Sequence, residues 1–278
     1  MSHTRQILHV IGDLDGYGLT RQLEMLVVEQ LATGHDVGIV ALRANPQVAA
    51  MFHQRGARCR ALDRRWQRDP FAAVRLAGEL RQSNCDVLHL WGQNAIDYTR
   101  IVRHCFPTRP TLASLGNRTV LGSRSVSPIT PGIATREAPI LSRTEFLAEQ
   151  ELADDSLLIA VAGPLIREQQ IDEAIWYFEL VRTLDERVRL LVFGDGPDRH
   201  RLERFSRLAS KPSAIRFLGY RTDYHPLLPY ADLFWQTALT TDALPQSVLE
   251  AMGARVPVVA NDGPGCRAVI RDGDTGYL

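Results

Sequence analysis

The chain has 278 residues, 45% of them hydrophobic, which suits two domains with real cores. Lys+Arg and Asp+Glu balance at 32 each, so no global field favours nucleic acid or an anionic surface. No apolar run approaches the ~20 residues of a membrane span, the N-terminus has no secretory h-region, and Cys59, Cys85, Cys105 and Cys266 lack metal-ligand or redox spacing.

Ile7 to Ile11 is a short apolar strand that runs into a glycine loop, Gly12 to Gly18. Leu19, Leu23, Leu26, Val27 and Leu31 at helical spacing predict a helix closed by Gly34. Asp36 to Leu42 is the next strand, and helices cover Pro46 to Arg55 and Phe71 to Gln82. Asp86 to Gly92 is a strand ending in a glycine turn, followed by a helix over Ala95 to His104 and a strand over Thr111 to Leu115. Strands alternating with helices of this length imply right-handed βαβ units and a parallel sheet. From Gly116 to Pro139 the chain is rich in Gly, Ser, Pro and Arg, and periodicity fails, as expected of a crossing between domains. The alternation restarts with a strand at Leu157 to Gly163, a helix at Ile171 to Leu184 and a strand at Val188 to Phe193, closing on Gly194-Asp195-Gly196-Pro197. A helix over Arg199 to Leu208 and strands at Ile215 to Leu218, Leu233 to Gln236 and Val256 to Ala260 complete it. The expected domains are 1–135 and 136–278.

Asp242 to Ala260, DALPQSVLEAMGARVPVVA, concentrates the chemistry. Pro245 suits the first position of a helix, where its missing N–H is no loss. That helix carries Gln246, Ser247 and Glu250. Two carboxylates, Asp242 and Glu250, can face one ligand at a helix end whose N–H groups attract anions. The plainer alternative makes Asp242 a helix cap and Glu250 an exposed helix residue.

This stretch resembles the donor-sugar motif of retaining nucleotide-sugar glycosyltransferases of the GT-B fold, whose pattern is Glu, seven residues, Glu, then Ala-Met and a Pro-Val-Val-Ala strand. Gly34-His35-Asp36-Val37, Asp86 to Gly92, Gly194 to Pro197, Phe217-Leu218-Gly219, Tyr230 to Phe234 and Asp272-Gly273 follow in the family's order. The resemblance implies an α/β chain of two Rossmann-like domains with parallel sheets facing a central cleft. It implies a cytoplasmic, metal-independent hexosyltransferase without cofactor, with room for peripheral association at the inner face of a membrane. The donor would be a UDP- or GDP-sugar, the acceptor a glycan, lipid-linked or small molecule, and no nucleic acid would bind. Glu250 would hold the donor ribose and Asp242 would stand near the sugar. Gly16, Gly18, Arg167, Gly194, Gly196, Pro245, Gln246 and Ser247 would complete the donor site. His89 would be a general base near the cleft, or else a satisfied core histidine. Arg167 would reach the phosphates, or else be a solvated residue before the helix.

Departures from the pattern favour a second expectation. Pro164 and Gln169 stand where the family keeps an Arg and a Lys against the diphosphate, and neither can balance that charge. Ala268 replaces an acidic residue of the family's Gly-Gly turn. Only sixteen residues separate Gly116 from the turn at Pro131 to Ile133 that resembles the family's Pro-Asn-Gly-Val, too few for a strand and helix. Family members continue past the position of Leu278 with helices that cross back to the first domain, so a fragment or shortened variant is expected. A catalytically degenerate GT-B protein that binds a nucleotide sugar, or partners an active transferase, is the alternative. An epimerase on the same fold is a weaker third, because its acid and base residues cannot be placed here.

Overall fold

The computed structural model describes residues 4–105, 110–115, 118–121, 124–125, 132–133, 141–221, 223–238 and 245–278. The chain divides into two units, Met1–Gly132 and Ile133–Leu278.

In the first unit, β1 (Gln6–Leu14), α1 (Leu19–Ala32), β2 (Asp36–Ala44), α2 (Pro46–Gln54), β3 (Arg58–Ala61), α3 (Pro70–Gln82), β4 (Val87–Trp91), α4 (Gly92–Val102) and β5 (Thr111–Leu115) alternate in sequence. β6 (Arg118–Leu121) and β7 (Arg124–Ser125) close the unit. The sheet order is β3-β2-β1-β4-β5-β6-β7, parallel except for the antiparallel pairs β5–β6 and β6–β7. The segment expected to break the pattern therefore begins by adding antiparallel strands to the sheet. These need only tight turns, so sixteen residues suffice where a parallel strand would need a helix.

Local chemistry starts the helices. Asn45 and Asp69 each precede a proline and accept hydrogen bonds from the first-turn N–H groups of α2 and α3. β1 pairs with β2 as far as Leu14, so Gly12 to Leu14 are strand and only the turn from Asp15 onward is loop, a correction to the expected Gly12–Gly18 loop. Leu8, Val10, Val40 and Leu42 pack against Leu76 and Leu80 of α3 and Tyr98 of α4.

The second unit starts with α5 (Arg143–Glu149), opened by a reciprocal Ser142–Glu145 capping box. There follow β8 (Leu157–Ala162), α6 (Ile171–Leu184), β9 (Val188–Phe193), α7 (Arg199–Ala209), β10 (Ile215–Gly219), α8 (Tyr224–Leu227), β11 (Leu233–Gln236), α9 (Gln246–Gly253), β12 (Val258–Ala260) and α10 (Pro264–Arg267). The five strands are parallel in the order β10-β9-β8-β11-β12. Leu158 and Ala160 face one core with Leu191, Phe234 and Val248; Ile159 and Val161 face another with Ile175, Phe178 and Leu202. A central strand covered on both faces needs the unbroken apolar run that β8 carries. Pro245 is the residue before α9 rather than its first, with an extended backbone at φ −66° and ψ 124°.

Candidate functional site

In a doubly wound sheet the chain reverses direction at a switch point, and ligands bind outside the carboxyl ends of the strands there. In the second unit that point lies between β8 and β11. The loops leaving β8, β9, β11 and β12 meet around it.

After β8, Gly163 has φ 154°, and a side chain there would place its Cβ 3.0 Å from Gln169 Oε1. The Gln169 carboxamide thus lies over Gly163. Its backbone carbonyl accepts a 3.0 Å hydrogen bond from Thr237 Oγ1, tying the β8 and β11 loops together. Asn261, just past β12, donates to the carbonyls of Thr237 (2.6 Å) and Ala238 (3.1 Å). After β9, Gly194 (φ 133°) donates to the Gly219 carbonyl at 2.8 Å. A Cβ on Gly196 would sit 2.5 Å from the Leu165 carbonyl oxygen, so the two glycine loops touch backbone to backbone. Leu165 N–H to Asp195 O (2.9 Å) and Asp198 N–H to Leu165 O (3.0 Å) lock the contact. Only glycine permits that approach.

Helix α9 points its N-terminal turn toward these loops from the end of β11. Ser247 Oγ donates to Gln236 Oε1 at 3.1 Å. Gln246 and Glu250, one turn apart, are both buried, Glu250 to 5% exposure. His225 Nε2 lies 3.4 Å from Glu250 Oε1. The alternative of an exposed helix residue is therefore corrected: a carboxylate out of water needs hydrogen bonds or a positive partner. The structure thus brings Gly194, Gly196, Pro245, Gln246, Ser247 and Glu250 to one end of one sheet. Arg167 is exposed in a short turn before α6, and it is the one basic residue between Gly163 and Gln170. Asp242 lies outside the described residues.

Gly16 (φ 87°) and Gly18 (φ 42°) lie in the first unit, in the turn between β1 and α1. The half-buried Asp15 carboxylate organises that turn, accepting from Tyr17 N–H (3.0 Å) and Thr20 Oγ1 (3.2 Å). Burial raises the Asp15 pKa, against the pull of those bonds. His89 is also in the first unit, 6% exposed, with Nε2 2.8 Å from Ser114 Oγ. Its ring lies 4.4 Å from that of Trp91 between centroids, tilted by 31°, and 5.3 Å from His9. Trp91 Nε1–H donates to His9 Nδ1 at 3.0 Å, which leaves the His9 proton on Nε2, 2.8 Å from Gln30 Oε1. Burial, then the neighbouring His9, lowers the His89 pKa to about 3; burial, partly offset by Gln30, lowers that of His9 to about 4. Both rings are neutral at pH 7.

Sequence reasoning missed Thr237, Asn261, His225 and Arg199. Arg199 reaches the Gly194–Gly196 turn already paired to Asp195 (3.1 Å) and Glu203 (2.8 Å), which raises its pKa. Asn261 alone left a trace, as an amide directly after a buried strand. Among the described residues no three His, Cys, Asp or Glu side chains gather as metal ligands. No helix among them is long and apolar enough to cross a membrane.

Two Rossmann-like halves, one with glycine turns at its switch point, define the GT-B class of α/β protein. Residues 142–278 match the family described as glycosyl transferases group 1. The structure is similar to that of Anabaena HepE, solved with UDP and glucose, with a TM-score of 0.75 at 14% identity over 99% of this chain and 85% of that one. It is also similar to WaaG, a glycosyltransferase involved in lipopolysaccharide biosynthesis, with a TM-score of 0.62 at 14% identity over 95% and 83% of the two chains. In sequence it is 29% identical to EpsD of Bacillus subtilis (strain 168) over 125 residues, 45% of this chain and 32% of that protein. It is 29% identical to the lipopolysaccharide core biosynthesis glycosyltransferase LpsE of Rhizobium meliloti (strain 1021) over 91 residues. The chain spans about a third or less of the length of these curated relatives.

Proposed function

We propose that the chain is a retaining hexosyltransferase that takes its sugar from a UDP- or GDP-linked donor and needs no metal. One observation carries the reading: the paired glycine loops, the α9 N-terminus and buried Glu250 converge at the switch point of a group 1 domain. HepE, of the same fold, is solved with UDP and with UDP-glucose. In this reading Gly194 and Gly196 let the donor approach the backbone, and Gln246, Ser247 and the α9 N–H groups meet the diphosphate. Glu250 accepts from the ribose hydroxyls and Asp242 stands by the sugar. Arg167 supplies positive charge to the leaving phosphate, and Gly16 and Gly18 give the donor phosphates and the acceptor a close backbone approach. His89 is assigned to the core rather than to catalysis, since its ring is buried and its Nε2 lies within hydrogen-bond reach of Ser114 Oγ. The acceptor is a glycan, a lipid-linked or a small molecule, met in the cytoplasm or at the inner face of a membrane.

A second reading has one observation in its favour. Pro164 occupies the position of the expected arginine, and Gln169 folds its neutral amide over Gly163. Each missing donor to the departing phosphate removes ~3 kcal/mol of transition-state stabilisation, which suits a protein that binds a nucleotide sugar without turning it over. Calorimetry with UDP and GDP, followed by transfer assays over a panel of nucleotide sugars and acceptor extracts, separates the two. Turnover establishes the first reading, binding without turnover the second, and no binding refutes both.

A further inference from the structure

The loop leaving β8, residues 163–170, is held in two halves. Its first half is fixed by the β9 loop, through Leu165 N–H to Asp195 O and Asp198 N–H to Leu165 O. Its second half, residues 166–170, carries Arg167 and Gln169. Within that half, Gln169 N–H donates to Ile166 O (3.1 Å) and Gln170 N–H to Arg167 O (3.0 Å). These bonds shape the turn without anchoring it. Among the described residues, one hydrogen bond joins this half to another strand's loop: Thr237 Oγ1 donates to the Gln169 carbonyl at 3.0 Å. Gln170, next in the chain, has φ 49° and ψ 43°. A residue with a side chain holds that left-handed conformation only where its surroundings fix it.

Thr237 is itself held. It lies directly after β11, is 9% exposed, and its carbonyl accepts from Asn261 Nδ2 at 2.6 Å. The same amide donates to Ala238 O at 3.1 Å, and Asn261 N–H donates to Gln236 O at 2.9 Å. One relay of hydrogen bonds therefore runs from the exit of β12, through the exit of β11, to the loop after β8. A threonine hydroxyl has a single proton to give. Here it goes to a main-chain carbonyl, so the hydroxyl acts through the turn that it holds. A turn fixed before binding spares a ligand the cost of ordering it.

We propose that Thr237 is a positioning residue of the donor site: its hydroxyl, backed by Asn261, presets the Arg167–Gln169 turn for the donor's phosphates. The inference rests on the donor reading above and deepens it. Its effect falls on the phosphates, because that reading gives the ribose to Glu250. Titration calorimetry of the full chain tests it, comparing UDP with uridine and GDP with guanosine. For the nucleotide that the wild-type chain binds, Thr237→Val lowers the ratio of diphosphate to nucleoside affinity by roughly two- to tenfold, the range of one neutral hydrogen bond. Thr237→Ser keeps the donor group and restores the ratio. Asn261→Ala shifts the ratio in the same direction as Thr237→Val. The double variant falls no further than Thr237→Val alone, since both act through one bond. A merely structural role would lower the melting temperature of the second unit and leave the ratio unchanged. A wild-type ratio in Thr237→Val, equal losses in Thr237→Ser and Thr237→Val, or additive losses in the double variant overturn the assignment and leave the donor reading standing. No binding of UDP or GDP by the wild-type chain overturns the donor reading and this assignment together.

Discussion

Replacing Gly196 by alanine tests the backbone contact on which the candidate donor site is built. The new Cβ would lie 2.5 Å from the Leu165 carbonyl oxygen and 2.8 Å from both its carbonyl carbon and its amide nitrogen. Ordinary contact begins at 3.4 Å, so the loops must part by about 0.9 Å. Parting stretches the Leu165–Asp195 and Asp198–Leu165 hydrogen bonds, now 2.9 and 3.0 Å, beyond useful length. Two net hydrogen bonds at about 1 kcal/mol each, or an overpacking penalty of about 1–3 kcal/mol, put the loss at roughly 2–4 kcal/mol. At about 3 °C per kcal/mol for a domain of this size, the second unit should melt roughly 6–12 °C lower. UDP binding should weaken with it, because the loop proposed to meet the donor has moved. Differential scanning calorimetry resolves the transition, with Gly78→Ala as the control. Gly78 sits inside α3 with nothing within 4 Å of its would-be Cβ, so alanine should stabilise the first unit by about 0.5–1 kcal/mol. A Gly196→Ala protein melting within about 1 °C of wild type would show that the two loops do not touch.

The other predictions concern charge. Glu250→Gln should weaken UDP and GDP binding by about tenfold, from charge-assisted hydrogen bonds of about 1.5–3 kcal/mol to the ribose, and titration calorimetry returning wild-type affinity would take Glu250 out of the site. Gln169→Lys should strengthen diphosphate binding more than nucleoside binding, and an unchanged ratio of the two affinities would mean that this loop does not face the phosphates. The first unit should be acid-labile. His9 and His89 titrate at about 4 and about 3 when folded against 6.5 as model histidines, so below pH 6.5 the unfolded chain takes up protons that the folded one refuses. Their contribution is complete above about pH 6.5 and falls as pH drops toward 4, by up to about 1.4 kcal/mol per pH unit for each ring. Denaturant unfolding at pH 7 and pH 5 measures it, and a flat profile would mean that these rings reach solvent.

Much of the fold is written locally. β8 is a six-residue apolar run because both its faces are covered, and Pro46 and Pro70 with their capping residues mark where α2 and α3 begin. β3 escaped notice because Arg58-Cys59-Arg60-Ala61 is an edge strand with mostly exposed side chains and no alternation. β6 and β7 hid in a stretch whose composition reads as loop. The signal for α5, Ser142 and Glu145 ahead of Phe146 and Leu147, was present but short. The candidate site divides in the same way. Gly194, Gly196 and Glu250 sit in contiguous motifs, whereas Thr237 meets Gln169 across 68 residues and Asn261 meets Thr237 across 24. Such pairs exist only once the strands are ordered side by side. Pairing between His225 and Glu250 is likewise a product of packing.

Each unit is continuous in sequence, Met1–Gly132 and then Ile133–Leu278, and its sheet and hydrophobic clusters come from its own segment. That arrangement matters at the ribosome. Translation at about 5–20 residues per second needs roughly 7–30 s to add the last 146 residues. Mixed α/β domains fold in about milliseconds to seconds. The first sheet therefore has time to close before β12 is synthesised, and strands of the second half emerge beside a neighbour with few unpaired edges left to capture them.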